Sequence, residues 1–168
     1  MSSCGPSIEL RPATPEDRFR IRRWLTDPEQ QVRWGNAASA EAEINLAAAS
    51  ESALCRIVMC GGESVGYAHA FDYSLLGDGQ SADLPPGTWY LNLLLTAEQR
   101  ARELEPMALA LITGEVFATT LAVACAGLVS IRSETVARTY ERAGFRWKQV
   151  LHDRMLGPSW LMVMERPG

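Results

Sequence analysis

Lysine is all but missing from this chain: Lys148 is the only one among sixteen basic residues, a bias of composition rather than of chemistry. Nor is there any basic excess, since twenty acidic residues leave a net charge of −4 and a pI near 5.2. A nucleic-acid binder usually shows a basic face, so that class is set aside. Paired cysteines are lacking too. Cys4, Cys55, Cys60 and Cys125 form no C-x-x-C, which excludes a zinc ribbon or a thioredoxin-type motif. They read as reduced thiols of a cytoplasmic protein. The longest uncharged stretch, Val116 to Ile131, is sixteen residues. A membrane span needs about 20 apolar residues, so no membrane partner is expected. Met1 to Ser7 shows neither a basic nor an apolar leader region. No metal-ligand spacing, P-loop or dinucleotide fingerprint occurs.

What is present suits one domain over residues 1–168, with 47% hydrophobic and 21% charged residues. Ile8 to Arg11 alternates as a strand. Thr14 caps a helix that opens at Pro15 and takes Phe19, Ile21, Trp24 and Leu25 as its apolar positions. Asp27-Pro28 breaks it, and Trp34-Gly35-Asn36 lies in a loop before a helix capped by Ser39 and running through Glu41 to Ala49. Leu54–Cys60 and Ser64–Tyr73 are strands joined by the Gly61-Gly62 turn, which puts Cys55 and Cys60 on opposite faces. A turn-rich loop, Leu75 to Gly87, holds Asp78 and Asp83. With Asp72 they suit a cationic acceptor or simply a solvated loop. Thr88–Leu95 is the most strongly β-like segment. A charged connection (Glu98–Glu105), a helix from Pro106 to about Phe117, a strand at Leu121–Ala126 and a helix from Glu134 to Ala143 follow. Strands at Phe145–Leu151 and Trp160–Glu165, joined by a Gly157-Pro158 turn, complete the chain. The order predicts an α/β or α+β fold with a central mixed sheet and helices on its faces.

The run Ser133-Glu134-Thr135-Val136-Ala137-Arg138-Thr139-Tyr140-Glu141-Arg142-Ala143-Gly144-Phe145 resembles the N-x-x-A-I-x-x-Y-E-K-x-G-F signature of the GNAT acyltransferase superfamily, with Ser133 in place of Asn. Trp24-Leu25-Thr26-Asp27-Pro28-Glu29 followed by Trp34-Gly35 resembles the opening of one branch. That branch holds the aminoglycoside 6′-N-acetyltransferases and the siderophore-type acyltransferases. Val65-Gly66-Tyr67-Ala68-His69 and Trp89 to Leu95 resemble two of its strands, with Asn92 where an acid is typical. The resemblance spans nearly the whole chain. It implies a mostly antiparallel sheet splayed between the strand at Leu93 and the strand at Val123, flanked by about four helices. It further implies acetyl transfer from acetyl-CoA to a primary amine of a small molecule, by a monomer or homodimer.

The resemblance also assigns roles. Tyr140 is the acid that protonates the departing thiolate, or else a helix tyrosine that packs on the sheet. Leu93, Leu94 and Leu95 hold the pantetheine arm through their backbone, with Ser133 nearby. The pyrophosphate loop, Q/R-x-x-G-x-G/A in the family, reads Arg100-Ala101-Arg102-Glu103-Leu104-Glu105. Glu103 and Glu105 replace its glycines. A charge pair at 4 Å is worth roughly 4 kcal/mol at an effective dielectric of 20, so two acids there oppose an anion and predict weak coenzyme A affinity. A second reading follows from them: a GNAT-fold binding domain that has lost its cofactor loop.

Three further residues are acceptor-side candidates. His69 shares a strand face with Tyr67, Phe71 and Tyr73, and an imidazole with an ordinary pKa of about 6.5 suits the task of base. It reads equally as a satisfied core histidine. Asn92 cannot titrate and serves as a substrate-binding amide or a strand amide. Trp34 is a packing anchor or a substrate platform, with Tyr67 beside it.

Overall fold

The computed structural model describes residues 7–77, 83–153 and 156–168. Along the chain run β1 (Ile8–Pro12), α1 (Arg18–Trp24), α2 (Pro28–Trp34), α3 (Ala37–Ala49), β2 (Leu54–Cys60), β3 (Glu63–Asp72), β4 (Thr88–Leu95), α4 (Ala97–Ala101), α5 (Glu105–Thr119), β5 (Ala124–Ser130), α6 (Glu134–Arg142), β6 (Arg146–Asp153) and β7 (Gly157–Glu165). The strands make one seven-stranded sheet in the order β1-β2-β3-β4-β5-β7-β6. Only the central β4–β5 pair is parallel.

That pair opens like a V. Thr88, Trp89 and Tyr90 face Ala124, Cys125 and Ala126, and there the register ends. Beyond it β4 continues to Leu95 against β3, and β5 to Ser130 against β7. The splay leaves backbone groups of β4 without a strand partner, and an unpaired buried carbonyl costs about 1–3 kcal/mol. Helix α2 and Arg100 meet this need. Gln30 Nε2 donates to the Leu95 carbonyl at 2.8 Å, Arg100 Nη1 to the same oxygen at 2.6 Å, and Trp34 Nε1 to the Leu93 carbonyl at 3.1 Å.

β4 is buried along its whole length because both faces are covered. Leu91, Leu93 and Leu95 pack with Ala108, Leu109, Ile112 and Val116 of α5. Leu94 and Tyr90 face the other way, Leu94 among α1, α2 and α3 and Tyr90 against Ala47 and Phe71. Tyr67, His69 and Phe71 of β3 share that second face, as the alternation predicts. Gly66 stands where a Cβ would meet the Leu94 carbonyl at 2.2 Å, so the close β3–β4 approach requires glycine.

Several expectations are corrected. Asp27-Pro28 ends one helix and also starts the next: the Asp27 carboxylate caps the Glu29 N–H at 3.0 Å, and proline suits a first turn. Trp34 therefore ends a helix and does not lie in a loop. Asn36, not Ser39, caps α3. The connection after β4 contains α4, giving six α-helices among the described residues rather than about four. β5 starts at Ala124, not Leu121, whose side chain is 95% exposed. Arg166 explains the shift, because its guanidinium takes the carbonyls of Phe117, Thr120 and Ala122 and holds that stretch out of the sheet. Gly157-Pro158 opens β7 rather than forming a turn. Phe19 is exposed, while Ile21 and Leu25 are buried. Cys4 and Asp78 lie outside the described residues.

Candidate active site

Two clusters of polar side chains meet at the splay. The first lies on the face of β3 and β4 that α3 covers. His69, fully buried, pairs across the strands with Asn92. Its Nδ1 is 2.9 Å from the Tyr67 hydroxyl and its Nε2 is 2.7 Å from Glu43 Oε2. Asn92 Nδ2 donates to the same oxygen at 3.2 Å, and the Tyr90 hydroxyl donates to Glu43 Oε1 at 3.3 Å. Burial pushes the Tyr67 and Tyr90 phenols well above their ordinary pKa, with Cys55 adding to the first and Glu43 to the second. Both therefore keep their protons. Glu43, as an acceptor, takes the Nε2–H, while Nδ1 shares a hydrogen with the Tyr67 hydroxyl, which also bonds Cys55.

Glu43 is the hub of this cluster, and the sequence reading passed over it as one residue of the helix capped by Ser39. A signal was there: Ala40, Ile44 and Ala47 form the buried stripe of α3, and Glu43 stands three residues after the first and four before the last. A carboxylate on an apolar stripe must find donors, and this one finds three.

The second cluster lines the V itself. Tyr140 of α6 is buried edge-on against Phe145, with ring centroids 5.1 Å apart. Gly127 of β5 makes room for it: a Cβ there would stand 2.6 Å from Tyr140 Cε2. Burial raises the Tyr140 pKa and keeps the phenol protonated, against a lowering influence from Arg33. Among the described residues its hydroxyl has no hydrogen-bond partner. Asn92, Leu93, Ser130, Ser133 and Val136 line the same cleft. Asn92 Oδ1 accepts the Leu93 N–H at 2.9 Å, so this amide is committed on both ends. Trp34 is buried with its ring 5.2 Å from His69, a wall of the site rather than an open platform. Tyr67 is buried behind His69 and edges a separate cavity of about 600 Å³ between α1, α3 and β2.

The loop that replaces the glycine motif is not what its charges suggested. Glu105 is buried at the start of α5 and forms a two-pronged ion pair with Arg33 of α2, one arm of it 3.0 Å long. Glu103 is exposed and lies 3.6 Å from Arg142. Each acid thus has an arginine, which weakens the expected opposition of the two acids to an anion. Glu103 also has φ of +57°, the one non-glycine residue in the left-handed region among those described. The loop keeps a glycine-like bend without glycine. Glu103 and Leu104 N–H close onto the carbonyls of Arg100 and Gln99, and Leu104 is buried. Ala101 and Arg102 are exposed, and Arg102 reaches Gln99 at 3.4 Å. Arg100 bridges the Leu95 carbonyl and Asp27. Arg33, Arg100, Arg138 and Arg142 surround a groove of about 300 Å³ above the loop. The Arg33–Glu105 pair separates this groove from the V, where the void is about 10 Å³, close to one water.

These residues fit an extended ligand with an anionic end. Four guanidiniums line the groove, paired in turn with Glu105, Asp27, Glu134 and Glu103, the last two pairs exposed and open to competition from an anion. Arg33 Nε is a buried donor and Gln30 Oε1 a buried acceptor, neither with a partner, and Arg33 lines the cleft with Tyr140. Unmet polar groups of both signs along a strand edge suit the amides of a pantetheine arm.

No family model matches the sequence, and no curated protein matches it. Solved structures do. The aminoglycoside acetyltransferase AAC(6')-Ib, in complex with coenzyme A and kanamycin, is 26% identical over 95% of each chain, with a TM-score of 0.81. The same enzyme with paromomycin and acetyl-CoA is 27% identical over 95% of this chain and 94% of that one, also at 0.81. Spermidine N-acetyltransferase from Vibrio cholerae, with coenzyme A and spermine, is 10% identical over 95% of both chains at 0.72, a likeness of fold. The seven-stranded, mostly antiparallel sheet and its helices match the GNAT fold of these acetyltransferases. Within that class the chain is a GNAT acetyltransferase resembling the aminoglycoside 6′-N-acetyltransferases. Among the described residues no helix is long and apolar enough to cross a membrane.

Proposed function

We propose that residues 1–168 form one working domain that transfers an acetyl group from acetyl-CoA to a primary amine of a small polycationic acceptor, aminoglycosides being the first class to test. The observation that carries this reading is the V between β4 and β5 with a protonated, unpartnered Tyr140 hydroxyl inside it. Acetyl-CoA supplies an acyl group activated as a thioester. Arg33, Arg100, Arg138 and Arg142 hold its anionic end, with the Arg100–Glu105 loop beneath. The Leu93–Leu95 edge, Ser133 and the spare polar atoms of Gln30 and Arg33 line the path inward. Tyr140 gives its proton to the leaving thiolate. The Glu43 side of the cleft receives the cation. Every group comes from one chain, so a monomer or a homodimer suffices. The free thiols of Cys55, Cys60 and Cys125 suit a reducing cytoplasm.

The experiment is thiol release from acetyl-CoA with kanamycin, paromomycin and spermine, beside thermal melting with coenzyme A. A ligand at 100 times its Kd stabilises by about 2.7 kcal/mol, a clear rise in Tm. Turnover on an amine together with that rise is the expected result. One observation favours a second reading, a GNAT-fold binding domain: Gln30, Trp34 and Arg100 already satisfy the carbonyls of Leu93 and Leu95, and little void remains. No shift in melting and no turnover would select it.

A further inference from the structure

An alkyl amine reaches an enzyme as an ammonium ion, and it cannot attack until it has lost a proton. The groups around the acceptor side of the V divide sharply in their ability to take that proton. Asn92 does not titrate. Tyr67 and Tyr90 are held protonated by burial and cannot take a further proton. His69 is fully buried, and both of its ring nitrogens are occupied, by Tyr67 and by Glu43. Glu43 is different in two respects. Its side chain remains 20% exposed, so a solute can reach it. Its two oxygens offer about four acceptor sites. Three are filled: two on Oε2 by His69 and Asn92, and one on Oε1 by Tyr90. The remaining site is on Oε1. Among the described residues no arginine or lysine reaches this carboxylate, and His69 is its one partner able to become a cation.

We propose that Glu43 is the group that binds the acceptor ammonium and takes its proton, with His69, backed by Tyr67, as a positioning residue that fixes the carboxylate. This rests on the acetyltransferase reading above. The protons balance. The ammonium sheds two on its way to the amide. The first passes to Glu43 Oε1, leaving a lone pair on nitrogen and a neutral carboxylic acid that returns its proton to solvent through its exposed side. The new N–C bond forms as the C–S bond breaks. The sulfur takes the proton of Tyr140, and the second proton from nitrogen restores the phenol. The acceptor class is thereby narrowed to cationic amines. Neutral hydroxyl acceptors gain nothing from this carboxylate.

The test compares two nucleophiles in the intact protein. Kanamycin amines are protonated at neutral pH, whereas methoxyamine is already neutral there and needs no base. In Glu43→Gln, which keeps the size of the side chain, kcat with kanamycin should fall by about 10²–10⁴-fold, while turnover of methoxyamine changes less than about fivefold. Glu43→Asp should recover part of the kanamycin rate. His69→Gln should lower kcat by about tenfold, and adding it to Glu43→Gln should cost nothing further, because a positioning residue acts only through its partner. Methoxyamine turnover also shows that each variant is folded. An equal loss on both nucleophiles, or additive losses in the double variant, would overturn the proposal. A wild type inert toward both would sink the acetyltransferase reading and the proton transfer with it. Calorimetry with kanamycin then still decides the ammonium contact: binding lost in Glu43→Gln keeps it, and unchanged binding removes it.

Discussion

Glu43 of α3 and Glu105 of α5 both lie near enough to act on the Tyr140 phenol, and both are largely removed from water, yet their partners differ in kind. Glu105 meets the guanidinium of Arg33 on two prongs. Glu43 meets an imidazole, an amide and a phenol. A permanent counter-ion makes a buried carboxylate part of the architecture, since removing either partner strands the other charge. Donors without a fixed charge hold a carboxylate in place but leave its field open to a cation that arrives later. Glu105 is thus locked into an ion pair, and Glu43 keeps a carboxylate that a cationic acceptor of the proposed kind can engage.

The largest test of this contrast is thermodynamic. Arg33→Ala leaves Glu105 buried without its cation and should cost about 3–5 kcal/mol in urea unfolding. Glu43→Gln should cost at most about 1 kcal/mol by the same measurement, because its donors keep an oxygen to bond. Equal losses would erase the distinction. The reverse truncation, Glu105→Gly, should also destabilise the free protein but increase the rise in Tm that coenzyme A produces, since Arg33 is then released to the ligand.

Next in size is Tyr140→Phe. If the phenol acts on the leaving thiolate, kcat should fall by about 10²-fold with KM little changed, which steady-state kinetics reads directly. An unchanged kcat would return Tyr140 to packing against Phe145 and Gly127.

Asp17 extends the comparison to a third carboxylate, one of the Glu105 kind. Arg11 holds it at 2.7 Å with Thr14 beside it, and hydrogen bonding to Arg11 lowers its pKa to about 2 from an ordinary 3.8. A depressed acid stabilises the fold above the ordinary value and loses that contribution as pH falls through the folded one. Stability should therefore drop by about 1–2 kcal/mol between pH 4 and 2, after allowance for the solvent around Arg11, and Asp17→Asn should flatten that limb. A variant with the same acid limb would show that the pair contributes nothing.

The smallest effect belongs to Glu103, whose ion pair is long and exposed and whose backbone is left-handed. Glu103→Gly relieves a conformation that costs an L-residue about 1–2 kcal/mol and loses part of that gain to the looser unfolded chain. A net stabilisation of about 0.5 kcal/mol in chemical unfolding is expected. A loss of stability would mean that Arg142 holds the loop after all.

Much of this protein is written in short-range pattern. β2 and β4 fall at Leu54–Cys60 and Thr88–Leu95 as their apolar runs predict, and the Tyr140-to-Phe145 stretch ends a helix and starts a strand where the motif does. Alternation put His69 on one face with Tyr67 and Phe71. The splay too was legible, through resemblance. The boundary at Asp27-Pro28 was not, because the same dipeptide that closes α1 opens α2. Neither was β5, whose start depends on an arginine more than forty residues away.

Local sequence determined which segments are helices and strands, and which side chains share a face, because those follow from backbone sterics and from periods of two and 3.6 residues. The meaning of the acids was left to the tertiary structure. Glu105 reads as an obstacle to an anion until Arg33, seventy-two residues earlier, is seen to neutralise it. Glu43 reads as one more residue of an alanine-rich helix until β3 and β4 bring His69, Asn92 and Tyr90 to its oxygens. Coulomb and hydrogen-bond energies depend on distance through space, and that distance is set only when the chain has closed on itself.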